Sequence, residues 1–218
     1  MNFERRYFNS TDMSFRAIQD DTTGKKYIEG MASVFNVRSK LILENGELFY
    51  EEINSGAFTE VLQREGLDVI FTFNHSKDSV IARTVSGTLK LSENDDGLSF
   101  RAEIESEISD SSDLWYRVQR GDIFSNSFAF RVMEGDYRWL PGGDDGIPIR
   151  VIDRIADLRD VSSVTYAAYP ETSVTARELA DVVKPEEVEE EESQEDKPNP
   201  EREKLMMKIK IIQIENKL

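Results

Sequence analysis

The chain of 218 residues contains no cysteine and only one histidine, His75. The absence of cysteine excludes disulfides, cysteine nucleophiles and thiolate-bound metals. A single imidazole excludes a multi-histidine metal site and any catalytic centre that needs two imidazoles, so any metal would be held by oxygen ligands with at most one nitrogen. We therefore expect neither a cofactor nor a metal.

Positive charge is also scarce. The chain has 27 Lys and Arg against 43 Asp and Glu, a net charge of −16, which excludes a global attraction to nucleic acid or to anionic lipid. No apolar run approaches the ~20 residues needed to cross a bilayer, and the first residues lack an apolar signal core. We expect a soluble intracellular protein with no nucleic acid or membrane among its partners.

The composition changes near residue 184. Residues 184–204 hold ten acidic and four basic residues, three prolines and no aromatic residue, which is typical of a disordered linker. Residues 205–218 are apolar again, with spacing that suits a docking helix, although alternation also allows a strand or a frayed tail. The sequence thus predicts one domain over residues 1–183, an acidic linker and a C-terminal apolar segment, and residues 1–183 still carry a net charge of −12.

Within residues 1–183 the hydrophobic pattern mostly has a period of two, which indicates strands. The predicted fold is therefore mainly β with flanking helices (α+β), a largely antiparallel sheet of about eight strands closed as a barrel, because closure removes exposed edges. Strands are predicted at residues 27–35, 69–73, 86–91, 98–104, 124–132, 149–155 and 160–166, helices at 57–64, 111–120 and 175–183, and a loop at 139–143.

Three residues have the side chains that hydrolysis by a serine nucleophile needs. His75 ends an apolar strand and is a candidate general base, since imidazole titrates near neutral pH. Ser127 lies on a strand between aromatic residues, and its hydroxyl becomes nucleophilic only when a base takes its proton. Asp160 begins a late strand and could orient a histidine. Taken one at a time, each is more often a structural or solvent-exposed residue.

The strand around Ser127 also suggests a place for substrate. Phe128 and Phe130 alternate with the small residues Ser127 and Ala129, which leave room for a bound peptide backbone. We predict that Phe128, Ala129 and Phe130 form the substrate-binding residues.

Seven short motifs in order resemble one family, the prohead (capsid maturation) proteases of tailed phages with the HK97-type capsid, which are relatives of herpesvirus assemblin. Each motif is weak alone, but their order and spacing are specific, and the resemblance covers roughly residues 14–180. The motifs are Gly-Met-Ala-Ser-Val-Phe-Asn at 30–36, Ile-Asn-Ser-Gly-Ala-Phe at 53–58, Asn-His at 74–75, Asp-Gly-Leu at 96–98, Asn-Ser-Phe-Ala-Phe at 126–130, Asp-Val-Ser at 160–162 and Ala-Tyr-Pro at 168–170.

This resemblance implies a serine endopeptidase on an assemblin-like antiparallel β-barrel. Ser127 would be the nucleophile, His75 the base and Asp160 the acidic member. Two departures stand out: Ala129 replaces the family's usual glycine, and Asp160 is shorter than the usual glutamate. The alternative acidic partners are Asp157 and Asp153, and the oxyanion donors are expected within residues 160–170.

The resemblance also implies partners and a place of action. The enzyme would cleave the scaffolding segment of the major capsid protein, and its own C-terminal tail, inside the procapsid in the host cytoplasm; self-association is a further option. The alternative is a catalytically inactive β-barrel that scaffolds assembly. An unrelated esterase is disfavoured, because the sequence around Ser127 has neither glycine of a Gly-x-Ser-x-Gly elbow.

Overall fold

The computed structural model describes residues 3–9, 15–143 and 145–165. Within them the chain forms thirteen strands and two helices. The helices are α1 (Thr59–Leu62) and α2 (Ser109–Arg120). The strands are β1 (Glu4–Asn9), β2 (Arg16–Gln19), β3 (Lys26–Val34), β4 (Ile42–Glu44), β5 (Glu47–Ile53), β6 (Ile70–Phe73), β7 (Val80–Arg83), β8 (Leu89–Glu93), β9 (Gly97–Ile104), β10 (Ser125–Arg131), β11 (Tyr137–Leu140), β12 (Ile149–Ile152) and β13 (Asp157–Val164).

Hydrogen bonds join these strands into three sheets. Their orders are β1-β10-β13-β6-β7, β11-β12-β5-β4 and β2-β3-β9-β8. Pairing is mostly antiparallel, with two parallel pairs, β12 with β5 and β13 with β6. The predicted mainly β class with few helices is confirmed. In the part of the chain described here the three sheets are not joined into one closed barrel by hydrogen bonds.

The predicted strands correspond to β3, β6, β8, β9, β10, β12 and β13, with ends that differ by a few residues. The predicted helix at 57–64 shortens to the single turn of α1. The predicted loop at 139–143 is wrong for its first two residues, which belong to β11, a mostly exposed edge strand without an alternating pattern. The predicted helix at 175–183, the acidic linker and the C-terminal segment lie outside the described residues.

Aromatic rings form the centre of the hydrophobic core. Phe128 and Phe130 of β10 stack with ring centroids 4.8 Å apart, and Phe58 meets Phe128 edge-on at 5.9 Å. Phe71 of β6 stacks on Phe100 of β9 at 5.2 Å. These contacts tie the first sheet to α1 and to the third sheet, and they fix which faces of β6 and β10 point away from the core.

A buried ionic network joins the first and second sheets. Arg6 of β1 binds Glu51 of β5 at 2.6 Å and Glu4 at 2.8 Å. Arg150 of β12 binds the other oxygen of Glu51 at 2.9 Å and also binds Glu4. Glu51 is only 3% exposed, so each charge in this network is compensated by side chains from the neighbouring strand or sheet.

The first sheet sets the position of the candidate site. Its middle strand β13 pairs antiparallel with β10 and parallel with β6. In this register Ser162 lies directly between Ser127 of β10 and Thr72 of β6. Residues directly opposite each other in a sheet share a face, so β13 brings its own polar residues between the Ser127 strand and the strand that leads to His75.

Among the described residues, no helix has the length and apolarity needed to span a membrane.

Candidate active site

The three candidate catalytic side chains predicted from the sequence form one hydrogen-bonded chain. The Nε2 atom of His75 lies 2.7 Å from the Oγ of Ser127. The Nδ1 atom of the same ring lies 2.5 Å from the Oδ1 of Asp160. Ser127 and Asp160 lie 52 and 85 positions after His75 in the sequence. Their contacts with His75 therefore depend on the pairing of β10, β13 and β6.

The chemistry of the partners decides the tautomer of the imidazole. A carboxylate can only accept hydrogen bonds, so the Nδ1 of His75 carries the proton that it donates to Asp160. The lone pair of Nε2 is then directed at the Ser127 hydroxyl, which donates to it. This is the arrangement that a general base needs before it takes a proton from a nucleophile.

The site is largely removed from solvent. Ser127 is 0% exposed, and the side chains of His75 and Asp160 are 7% and 9% exposed. Low dielectric strengthens hydrogen bonds between such groups.

A left-handed turn brings His75 back over the sheet. β6 ends at Phe73, and the next two residues, Asn74 and His75, have φ angles of 52° and 56°. Asn74 tolerates this conformation, and it is held at both ends of its side-chain amide. Its Nδ2 donates to Thr165 Oγ1 at 3.1 Å, and its Oδ1 accepts from the Thr165 backbone N–H at 2.9 Å.

His75 itself is held by a residue that the sequence did not reveal as part of the site. The backbone N–H of His75 donates to the Oγ of Ser162 at 2.9 Å. Ser162 is fully buried on β13, two residues after Asp160 and on the same face. That two-residue spacing on a strand, next to the candidate acid, was the signal that could have identified it.

The alternative acidic partners have other contacts. Asp157 binds Arg64 at 3.1 Å and Arg131 at 3.9 Å. Asp153 accepts from the Asn54 amide at 2.6 Å and also binds Arg138. Of the three aspartates proposed from the sequence, the one in contact with the His75 ring is Asp160.

The predicted substrate-binding residues divide between two faces of β10. Phe128 and Phe130 are 0% exposed and their rings belong to the core. Ala129 lies on the Ser127 face, opposite Asp160, and is 1% exposed. The predicted oxyanion segment extends past residue 165, so residues 166–170 lie outside the described residues.

The described residues contain no group of three or more His, Cys, Asp or Glu side chains placed to hold a metal ion. What the site does offer is a hydroxyl, an imidazole and a carboxylate in hydrogen-bonded order. That order defines the class of hydrolases that work by acyl transfer to serine.

Comparison with known families agrees with this class. Residues 12–185 match the caudovirus prohead serine proteases, and the chain belongs to that family. It is therefore a serine endopeptidase of bacteriophage capsid maturation, a process that takes place within the procapsid in the host cell. A comparison with curated proteins and another with solved structures gave no match.

Proposed function

We propose that Ser127, His75 and Asp160 are the catalytic residues of this endopeptidase. The observation that carries the proposal is the hydrogen-bonded chain through the two nitrogens of His75, 2.7 Å to Ser127 and 2.5 Å to Asp160. Side chains at these distances transfer a proton without a large rearrangement.

The chemistry follows from this arrangement. The Ser127 Oγ attacks the carbonyl carbon of a peptide bond while its proton passes to His75 Nε2. Asp160 holds the ring in place and stabilises the imidazolium that forms. The imidazolium then gives the proton to the leaving nitrogen, which breaks the C–N bond and leaves an ester on Ser127. Water, deprotonated by His75, then attacks the ester carbon. The C–O bond to Ser127 breaks, the acid product leaves, and the His75 imidazolium returns the proton to the Ser127 Oγ.

A fluorophosphonate probe tests the nucleophile. It should label the wild-type chain covalently, and labelling should disappear in Ser127→Ala, which keeps the strand but lacks the hydroxyl. The matched control is Ser125→Ala, a buried serine two residues away on the same face, which should still be labelled. Equal labelling of wild type and Ser127→Ala would refute the proposal.

We propose further that the substrate is the scaffolding segment of the major capsid protein. The support is membership of the prohead protease family, whose members act in capsid maturation. Incubation of that capsid protein with wild-type enzyme should yield discrete fragments, and Ser127→Ala should yield none. Fragments of the same size from both enzymes would point to a contaminating protease.

The enzyme's own C-terminal tail is a second proposed substrate. Residues 184–204 carry ten acidic residues and three prolines, a composition typical of segments that proteases cut readily. Mass spectrometry of purified wild type should show loss of a C-terminal fragment with time. Ser127→Ala should stay at full length, and its truncation at the same bond would contradict self-cleavage.

A further inference from the structure

The hydroxyl of Ser162 has all its hydrogen-bonding capacity in use. It accepts from the His75 backbone N–H at 2.9 Å and from Thr72 Oγ1 at 3.0 Å. Its own proton is directed at a backbone carbonyl, that of Thr72 at 3.1 Å or of Ser163 at 3.3 Å. A hydroxyl has one proton and two lone pairs. In Ser162 the proton and both lone pairs are engaged in these hydrogen bonds, so this hydroxyl is not available as a second nucleophile.

Ser162 binds the backbone of His75, which has a left-handed conformation that the surrounding structure must stabilise. A left-handed conformation at a non-glycine residue is energetically unfavourable and persists only when the surroundings impose it. Asn74 is fixed by its two bonds to Thr165. The turn that contains both residues is closed by the bond from the Ser76 N–H to the Phe73 carbonyl at 3.0 Å. The backbone of His75 is also tied to β13, by the bond from its N–H to Ser162.

We infer that Ser162 is the positioning residue for His75: by holding the backbone N–H, it keeps the imidazole between Ser127 and Asp160. This inference rests on the proposed catalytic role of His75. The hydrogen bonds of the Ser162 hydroxyl go to Thr72, Ser163 and the His75 backbone and to none of the reacting atoms, so Ser162 acts through the orientation of the ring. Its place on β13 directly opposite Ser127 means that one strand supplies both the acid and the support of the base.

The chain supplies two matched controls. Ser163 is the next residue, is also 0% exposed, and its Oγ has no hydrogen-bond partner, so Ser163→Ala removes the same atom without removing a bond. Thr72→Val removes a hydroxyl from the same buried cluster but leaves the bond between Ser162 and His75. A merely structural role would make Ser162→Ala and Thr72→Val equally harmful to the labelling rate.

The experiment measures the maximal rate of fluorophosphonate labelling and the probe concentration that gives half of it. Ser162→Ala should lower the maximal rate by on the order of 10- to 100-fold, the cost of a misplacement of about 1 Å, with the half-saturating concentration unchanged. Ser163→Ala should match wild type, and Thr72→Val should stay closer to wild type than Ser162→Ala does. If Ser162→Ala labels as fast as Ser163→Ala, the inference is overturned.

A second readout does not depend on activity. Because His75 is the only histidine, its ring ¹⁵N and Nδ1–H resonances are unambiguous in NMR spectra of the full chain. The downfield Nδ1–H signal expected from the bond to Asp160 should broaden or disappear in Ser162→Ala and persist in Ser163→Ala. An unchanged signal in Ser162→Ala would also overturn the inference.

The two readouts separate this inference from the proposed function. If wild type is not labelled at all, the proposed function fails, and the His75 resonances still decide what Ser162 does. If Ser162→Ala does not fold, Ser162→Cys replaces it, since sulfur fills the space but accepts hydrogen bonds weakly. The same loss of labelling rate is then expected, and its absence overturns the inference.

Discussion

At the scale of single residues, the left-handed turn explains how a short acid reaches the base. His75 has a φ angle of 56°, which turns its ring back over β13 rather than away from the end of β6. The ring then lies 2.5 Å from Asp160. The contact between this short acidic side chain and the ring therefore depends on the backbone conformation of His75.

This contact predicts the effect of a longer acidic side chain at position 160. Asp160→Glu adds a methylene group to a buried side chain that already contacts the ring, so the carboxylate must shift by about 1 Å or more. We expect the labelling rate of Ser127 to fall by about 10- to 100-fold. The control is Asp157→Asn, whose carboxylate binds arginines instead of His75 and which should react like wild type. A glutamate variant as fast as wild type would contradict the explanation.

At the scale of elements, the pairing of β3 with β9 shows how closely two neighbouring strands approach. β9 begins at Gly97, with a φ angle of 154°. A Cβ built there would lie 2.9 Å from the Val34 Cα and closer still to the carbonyl oxygen of Ser33. Both neighbours are backbone atoms of β3, which cannot move aside without disturbing the pairing of β3 and β9.

Gly97→Ala should therefore destabilise the fold by about 3 kcal/mol, the upper range for overpacking a core position. Gly87 is the matched control, because its φ is 74° but nothing lies within 4 Å of a Cβ added there. Gly87→Ala should lower the free energy of unfolding by only about 1 kcal/mol, the cost of a left-handed conformation at alanine. Denaturant unfolding of both variants checks the difference, and equal costs would show that the close approach is not what requires glycine.

Local alternation of residues was sufficient to predict the elements that carry the site. Ser127, His75 and Asp160 could be proposed because the strand pattern around each is regular and the motifs are specific in order. Ser162 was not proposed, although its place two residues after Asp160 on the same strand was a signal, because its contact depends on the backbone angle of His75 and on the parallel pairing of β13 with β6. β1 was missed for a related reason, because its arginines resemble solvent-exposed charges until Glu51 is placed beside them.

At the scale of the whole molecule, the ionic network joins two sheets through charges that are buried on both sides. Burial alone would lower the pKa of Arg6, but Glu51 and Glu4 raise it well above its ordinary value. Arg6 therefore stays cationic wherever the protein is folded.

Glu51→Gln should destabilise the protein by roughly 3 kcal/mol, because it leaves Arg6 and Arg150 buried with less negative charge around them. The neighbouring residue provides the control. Glu52 binds Arg38 at 3.1 Å, but that arginine side chain is 51% exposed, and Glu52→Gln should cost less than about 1 kcal/mol. Unfolding by urea at fixed salt compares the stability of the two variants. Similar losses of unfolding free energy would mean that burial does not determine how much this network stabilises the fold.

The place of β13 between β6 and β10 has a consequence for the timing of synthesis. It is the last strand of the described chain, and both neighbours that it joins are made earlier. Contacts across long stretches of chain, and parallel pairing above all, form slowly. With the catalytic roles proposed above, a nascent polypeptide on the ribosome thus holds Ser127 and His75 without their acidic partner until translation has passed Asp160, and hydrolysis begins only after β13 has paired with β6 and β10.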